Sequence, residues 1–165
     1  MITRAISMLA GAAGAVAVSQ APGYTQQYMQ NLEGRVDELR TIVERFDANI
    51  ANIGYDRARA LRECSVAEQL LGALCDGITK DIARYDVLRA HQADLLAAEP
   101  WARPVVLARN VQTDIAESAY ERFEPAVPAT ATGAGYAGAG FVGGWGVLTL
   151  VLGLLTAPFK RREAY

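Results

Sequence analysis

The residues able to do chemistry in this chain are few and far apart. Its one histidine is His91. A zinc ion needs three or four nitrogen, sulfur or carboxylate ligands, and the two cysteines, Cys64 and Cys75, are not near His91 in the chain. Asp94 follows His91 by three residues, and such a pair on a charged helix reads as solvated surface. Cys64 and Cys75 stand eleven apart. In an oxidising compartment two cysteines in one chain invite a disulfide. If residues 65–75 form one continuous helix, about 15 Å of helix rise separates the sulfurs and no bridge forms. A bridge needs a chain reversal, which Gly72 permits. Two buried thiols are the alternative, and the residues leave both open. No CxxC occurs, so there is no thioredoxin-like redox signature.

Other chemistries lack their parts. Ser65 and Ser118 sit in neither GxSxG nor SxxK, and no GxxxxGK[ST] is present to cradle phosphate. Asp76 with Asp81, and Glu117 with Glu121, fall at helical spacing and read as solvated faces. The expectation is that no catalytic residue, cofactor, metal or small-molecule substrate is involved.

What must position these residues is a helical chain with two apolar ends. Gly133 to Phe159 carries no charge and is followed by Lys160, Arg161 and Arg162. A bilayer core of about 30 Å needs about 20 apolar residues in a helix, and the basic cluster marks a cytoplasmic end. At the other end, Arg4 precedes an apolar or small-residue run from Ala5 to Val18, interrupted only by Ser7, which Ser19 to Gly23 closes. That run also fits a signal peptide, with Ser19 and Ala21 as small residues for cleavage. Pro22 is a poor residue after such a site, so an uncleaved first span is expected.

Small residues recur along both spans. Ser7, Gly11, Ala15 and Ser19 fall four apart, as do Ala10 and Gly14, and Gly140 and Gly144 make a GxxxG with Ala139 and Gly143 beside them. Such stripes let helix backbones approach in lipid, so the spans are expected to pack on each other or on a partner through Ser7, Gly11, Gly14, Ala15, Gly140 and Gly144. Tyr136 suits an interfacial anchor, and Trp145, deeper, suits packing. Both basic flanks lie toward the chain ends, which places both termini in the cytoplasm and the middle in the periplasm. Removing Arg4 and Lys160 to Arg162 from the 16 cations, and Glu163 from the 18 anions, leaves the middle acidic. It has no basic stripe, which argues against nucleic acid.

The middle reads as helices. Leu32, Val36, Leu39, Val43, Phe46, Ile50 and Ile53 alternate spacings of four and three, an a/d seam over three heptads. Arg40 and Glu44 offer an i,i+4 pair. The first long helix is expected over about 26–53, with Gly54 as its stop. A short piece, Tyr55 to Glu63, turns Ala58 and Leu61 inward. Ser65 and Glu68 read as a capping box opening a second long helix, about 66–98, with Leu71, Leu74, Ile78, Ile82, Tyr85, Leu88 and Leu95 as its stripe. Arg103-Pro104 opens a turn of helix through Leu107, and a short helix follows over about 111–123, carrying Val111, Ile115, Ala119 and Phe123. No stretch sustains period-two alternation.

The chain thus divides into a span at 1–22, a periplasmic domain at 23–124, a linker at 125–132, a span at 133–159 and a basic tail at 160–165. The fold class is all-α: two transmembrane helices flanking a periplasmic antiparallel helical hairpin with an additional short helix. The heptad seam is expected to be filled within the chain by the second long helix.

Several short motifs resemble a family of small two-span inner-membrane proteins of proteobacteria, known only as a domain of unknown function. They are the Gly/Ala-rich first span ending in Ser19-Gln20, Tyr24 to Tyr28 with Gln26-Gln27, Val36-Asp37-Glu38-Leu39 with Phe46-Asp47, and Ile82-Ala83-Arg84-Tyr85. Phe123 to Pro128 and Pro158 to Arg162 complete the set. The resemblance covers nearly the whole chain. It implies the two-span arrangement and no activity.

The function expected is that of a non-enzymatic, membrane-anchored accessory or structural subunit in the bacterial inner membrane. Its partners would be membrane lipid and other membrane subunits, or copies of itself as a homo-oligomer. The alternative is a periplasmic sensor, regulator or adaptor held in that membrane.

Overall fold

In the computed structural model, residues 2–127 and 129–160 are described. Among them the chain is all-helical, with no strand: α1 (Ile2–Ser19), α2 (Ala21–Ala51), α3 (Arg57–Cys64), α4 (Gln69–Ala97), α5 (Arg103–Arg109), α6 (Thr113–Glu121) and α7 (Ala131–Lys160). The 161–165 part of the basic tail lies outside the described residues.

The first departure from expectation is at Pro22. The long helix begins at Ala21, not near residue 26, and only Gln20 interrupts the helix from α1. Gln20 itself has helical angles, and the Tyr24 amide bonds to its carbonyl at 2.9 Å. Pro22 falls in the first turn of α2, where an absent N–H costs little because that donor would have no helical partner. The apolar span therefore runs almost directly into the domain.

α2 ends at Ala51, and Gly54 supplies the reversal that follows with φ +76°. The Tyr55 amide then bonds to the Ile50 carbonyl at 2.9 Å, satisfying an end group of the helix. Asp56 caps α3, accepting from the Arg59 amide at 2.7 Å. Ala60, not Ala58, is the buried residue of α3.

The expected capping box does not form. Ser65 closes α3 instead, its hydroxyl donating to the Arg62 carbonyl at 2.7 Å. The chain reverses over residues 65–68, and Gln69 takes the positive φ, 54°, as α4 begins. Gly72 is then the first-turn residue that lets α4 sit against that reversal, since a Cβ there would lie 2.7 Å from the Ala67 carbonyl oxygen. Arg40 pairs with Asp37 at 3.1 Å, an i,i+3 contact, in place of Glu44.

α2 and α4 run antiparallel: residues 22–33 share a cavity with 92–96, and residues 42–53 share one with 71–78. Tyr28, Leu32, Val36, Leu88, Leu95, Leu107, Ile115 and Ala119 make the core, with α5 and α6 closing over α2. The expected 111–123 helix is shorter, because Val111 is exposed before it and Phe123 lies beyond its end. Phe123 packs its ring edge-on to Tyr24, with centroids 5.7 Å apart.

Candidate functional site

α1 and α7 form the most extensive helix pair of the fold. Gly14 lies opposite Gly140, and Ala10 opposite Gly144, so the two helices are antiparallel. Contact is backbone to backbone. A Cβ on Gly14 would fall on the Gly140 carbonyl, one on Gly140 would fall on the Gly14 carbonyl, and one on Gly144 would lie 2.5 Å from the Ala10 oxygen. A Cβ on Gly11 would lie 3.0 Å from the Phe141 ring. Ser7, Gly11, Ser19 and Gly140 are buried, and Gly14, Ala15 and Gly144 are half-buried. Ala139 and Gly143, beside the GxxxG, face outward, and nothing lies within 4 Å of a Cβ on Gly143.

Two polar links join this pair to the domain. The Gln20 amide brackets Ala126, its Nε2 donating to the carbonyl at 3.1 Å and its Oε1 accepting from the backbone N–H at 3.0 Å. The Tyr136 hydroxyl donates to the Trp101 carbonyl at 2.7 Å. Trp145, expected to pack, keeps 45% of its surface exposed.

The domain has a buried polar centre. His91, expected on a solvated surface, is 2% exposed. The Gln112 amide donates to the Tyr28 hydroxyl at 3.1 Å, and that hydroxyl lies 3.0 Å from His91 Nε2. Since the Gln112 N–H is a donor, the hydroxyl accepts there and is free to donate its own proton to His91. In the tautomer that takes this bond the imidazole is neutral and carries its proton on Nδ1, which has no partner among the described residues. Burial pushes the imidazole pKa below its usual value, against a smaller upward pull from Asp94. Burial likewise raises the Tyr28 phenol. Arg84 fixes the far side, donating to Gln112 Oε1 at 2.6 Å and to both Asp114 oxygens at 2.7 and 2.9 Å. These hydrogen bonds tie α4 to α2 and to the start of α6.

The far tip of the domain carries the disulfide. Cys64 and Cys75 are bonded, with Cα atoms 5.3 Å apart. The reversal that permits it is at residues 65–68, not at Gly72. Beside it a groove of about 700 Å³ opens between α2 and α4. Of the heptad seam, Leu32, Val36 and Val43 are buried, and Leu39, Phe46 and Ile50 are half-buried. Ile53, expected to be packed, is 68% exposed, and Leu71 and Leu74 opposite are exposed too. The second helix covers the seam along the core but leaves it open at the tip. No group of three or more His, Cys, Asp or Glu able to hold a metal occurs among the described residues.

A protein-family model described as "Protein of unknown function (DUF2937)" matches residues 2–161. The chain belongs to this family. The DUF2937 match takes in both apolar helices as well as the domain between them, so the three parts make one family unit. No curated protein and no solved structure matches the chain.

Sequence reasoning passed over Tyr28 and misplaced His91, although both carried a signal. Leu88, His91 and Leu95 are spaced three and four, so His91 occupies a core position in the stripe. Thr25, Tyr28 and Leu32 extend the α2 seam backward at the same spacing, and all three are buried. A polar residue on the stripe of each helix is the pattern of a buried pair.

Proposed function

We propose that the protein is a non-enzymatic, membrane-anchored accessory or structural subunit. In this reading α1 and α7 hold it in a bacterial inner membrane, both termini are cytoplasmic and the helical domain stands in the periplasm. The observation that carries the reading is the apolar surface left on the paired helices. Met8, Leu9, Val16, Val142, Leu150 and Leu154 are all exposed, and only 6% of the most apolar part of α7 is buried. A water-soluble fold would bury such a surface, whereas lipid is its natural solvent, and helices satisfy their backbone groups internally. The Arg4 and Lys160 to Arg162 flanks support the orientation. A disulfide in the domain suits the oxidising side of that membrane.

The docking role rests on the tip. Ile53, Leu71 and Leu74 leave an apolar face uncovered on a domain whose own core is complete elsewhere. Such a face fits a partner subunit or a second copy. The test is purification of the full chain in mild detergent, with light scattering and intact mass on the product. The reading expects extraction only with detergent, residues 1–22 present, and an assembly of fixed stoichiometry that Ile53→Asp with Leu74→Asp dissolves. Recovery without detergent, or a monomer with no bound subunit, would overturn it.

A further inference from the structure

A second cavity, of about 410 Å³, lies at the other end of the domain, where both spans leave the apolar zone. Pro22, three residues past α1, forms one wall, and Thr130 and Thr132, at the start of α7, form another. Trp101 is exposed nearby, its carbonyl held by Tyr136. In a membrane-anchored chain the end of the cavity at Pro22, Thr130 and Thr132 lies at headgroup depth, the level at which Trp and Tyr settle.

The lining is built for a zwitterion. Arg103 and Glu33 both face the cavity, yet no ion pair joins them. Arg103 Nε donates to the Ala98 carbonyl at 3.1 Å, which orients the guanidinium and leaves its two terminal amino groups without a protein acceptor among the described residues. Glu33 has no hydrogen-bond or ion-pair partner among those residues. Gln26, Gln30 and Gln92 add neutral donors and acceptors to the lining. Two opposite charges that line one cavity without meeting leave room for a ligand carrying both signs. A phosphate takes charge-assisted hydrogen bonds from the arginine, and an ammonium gives them to the glutamate. No aromatic side chain lines the cavity. Quaternary ammonium groups are recognised by aromatic cages, so the lining favours a primary ammonium, which donates hydrogen bonds, over choline.

We infer that this cavity binds the headgroup of a phosphoethanolamine lipid, its phosphate toward Arg103 and its ammonium toward Glu33. The inference rests on the membrane-anchored reading.

The experiment is native mass spectrometry of the full-length protein in mild detergent, titrated separately with phosphatidylethanolamine, phosphatidylcholine and phosphatidylglycerol. One phosphatidylethanolamine should bind per chain, at about a tenfold lower concentration than either other lipid. Glu33→Gln, an exposed change that leaves the core alone, should erase the preference over phosphatidylglycerol. Arg103→Gln should weaken binding of all three lipids. Glu38→Gln, a charge change of the same kind on α2 that does not line the cavity, should alter nothing. Equal binding of the three lipids by the wild type, or an unchanged preference in Glu33→Gln, would overturn the site while leaving the anchor intact. Recovery of the protein without detergent would instead remove the anchor. Glycerophosphoethanolamine serves as the acyl-free arm: weak binding supports a lipid, and binding equal to that of the lipid would overturn the lipid in favour of a soluble phosphoethanolamine compound.

Discussion

Replacing Gly144 by alanine tests whether α1 and α7 meet backbone to backbone. The added Cβ would lie 2.5 Å from the Ala10 carbonyl oxygen, where ordinary contact begins at 3.4 Å. The helices must therefore part locally by about 0.9 Å, because a backbone carbonyl cannot swing aside as a side chain can. A gap of that size forfeits about a quarter to a half of the dispersion energy of each contact it opens. Overpacking of this kind costs about 1–3 kcal/mol. Alanine also gains about 1 kcal/mol over glycine in helix propensity, so the clash is measured against a control that has the gain without the clash. Gly143→Ala is that control, one residue away with nothing within 4 Å. For a chain of this length the two variants should differ by about 2–4 °C in midpoint per kcal/mol, followed by helical circular dichroism in mild detergent. The leucine pair, Gly144→Leu against Gly143→Leu, should widen the gap. Equal midpoints for Gly144→Ala and Gly143→Ala would refute the close pairing.

Three further outcomes follow from the domain. Tyr28→Phe removes the hydroxyl between Gln112 and His91 and leaves the buried imidazole and a part-buried N–H unpaired, which should destabilise by about 1–3 kcal/mol in denaturant titration. His91 has a depressed pKa when folded, so the unfolded chain takes up the proton first. Its contribution is complete above the usual imidazole value of about 6.5 and is lost as pH falls through the folded value. The melting midpoint should drop between pH 7 and 5 more steeply in the wild type than in His91→Gln, and parallel slopes would contradict the buried neutral imidazole. Cys64→Ser with Cys75→Ser opens a short loop and should cost at most about 3 kcal/mol, read as earlier hydrogen exchange in residues 57–78. Unchanged exchange and unchanged assembly would show that the bridge holds nothing in place.

The helical architecture was legible because periodicity and apolar length are local properties. The a/d spacing marks Leu32, Val36 and Val43, all buried, and the uncharged run from Gly133 marks α7. What could not be read depended on tertiary context. The first apolar run ends with Pro22-Gly23, usually a break, yet the helix resumes at Ala21 because proline fits a first turn. Ser65 and Glu68 have capping-box spacing, but the disulfide and the positive φ at Gln69 place the reversal between them. Ile53 has the right spacing for the seam, but α2 ends at Ala51, so Ile53 falls in the turn beyond the helix and is left exposed. His91 was masked by its polar type. Its spacing from Leu88 and Leu95 nonetheless puts it on the stripe of α4, where Tyr28 from α2 meets it.

The central claim, a domain held outside the cytoplasm by two spans, is tested most directly by labelling the native cysteines. The full chain, tagged at its C-terminus, would be expressed in a Gram-negative bacterium and treated as spheroplasts with a membrane-impermeant maleimide. The account predicts no labelling at first, labelling of Cys64 and Cys75 after an impermeant reductant, and a tag protected from added protease until the membrane is opened. Cysteines that label only in lysed cells, or a tag cleaved in intact spheroplasts, would contradict it.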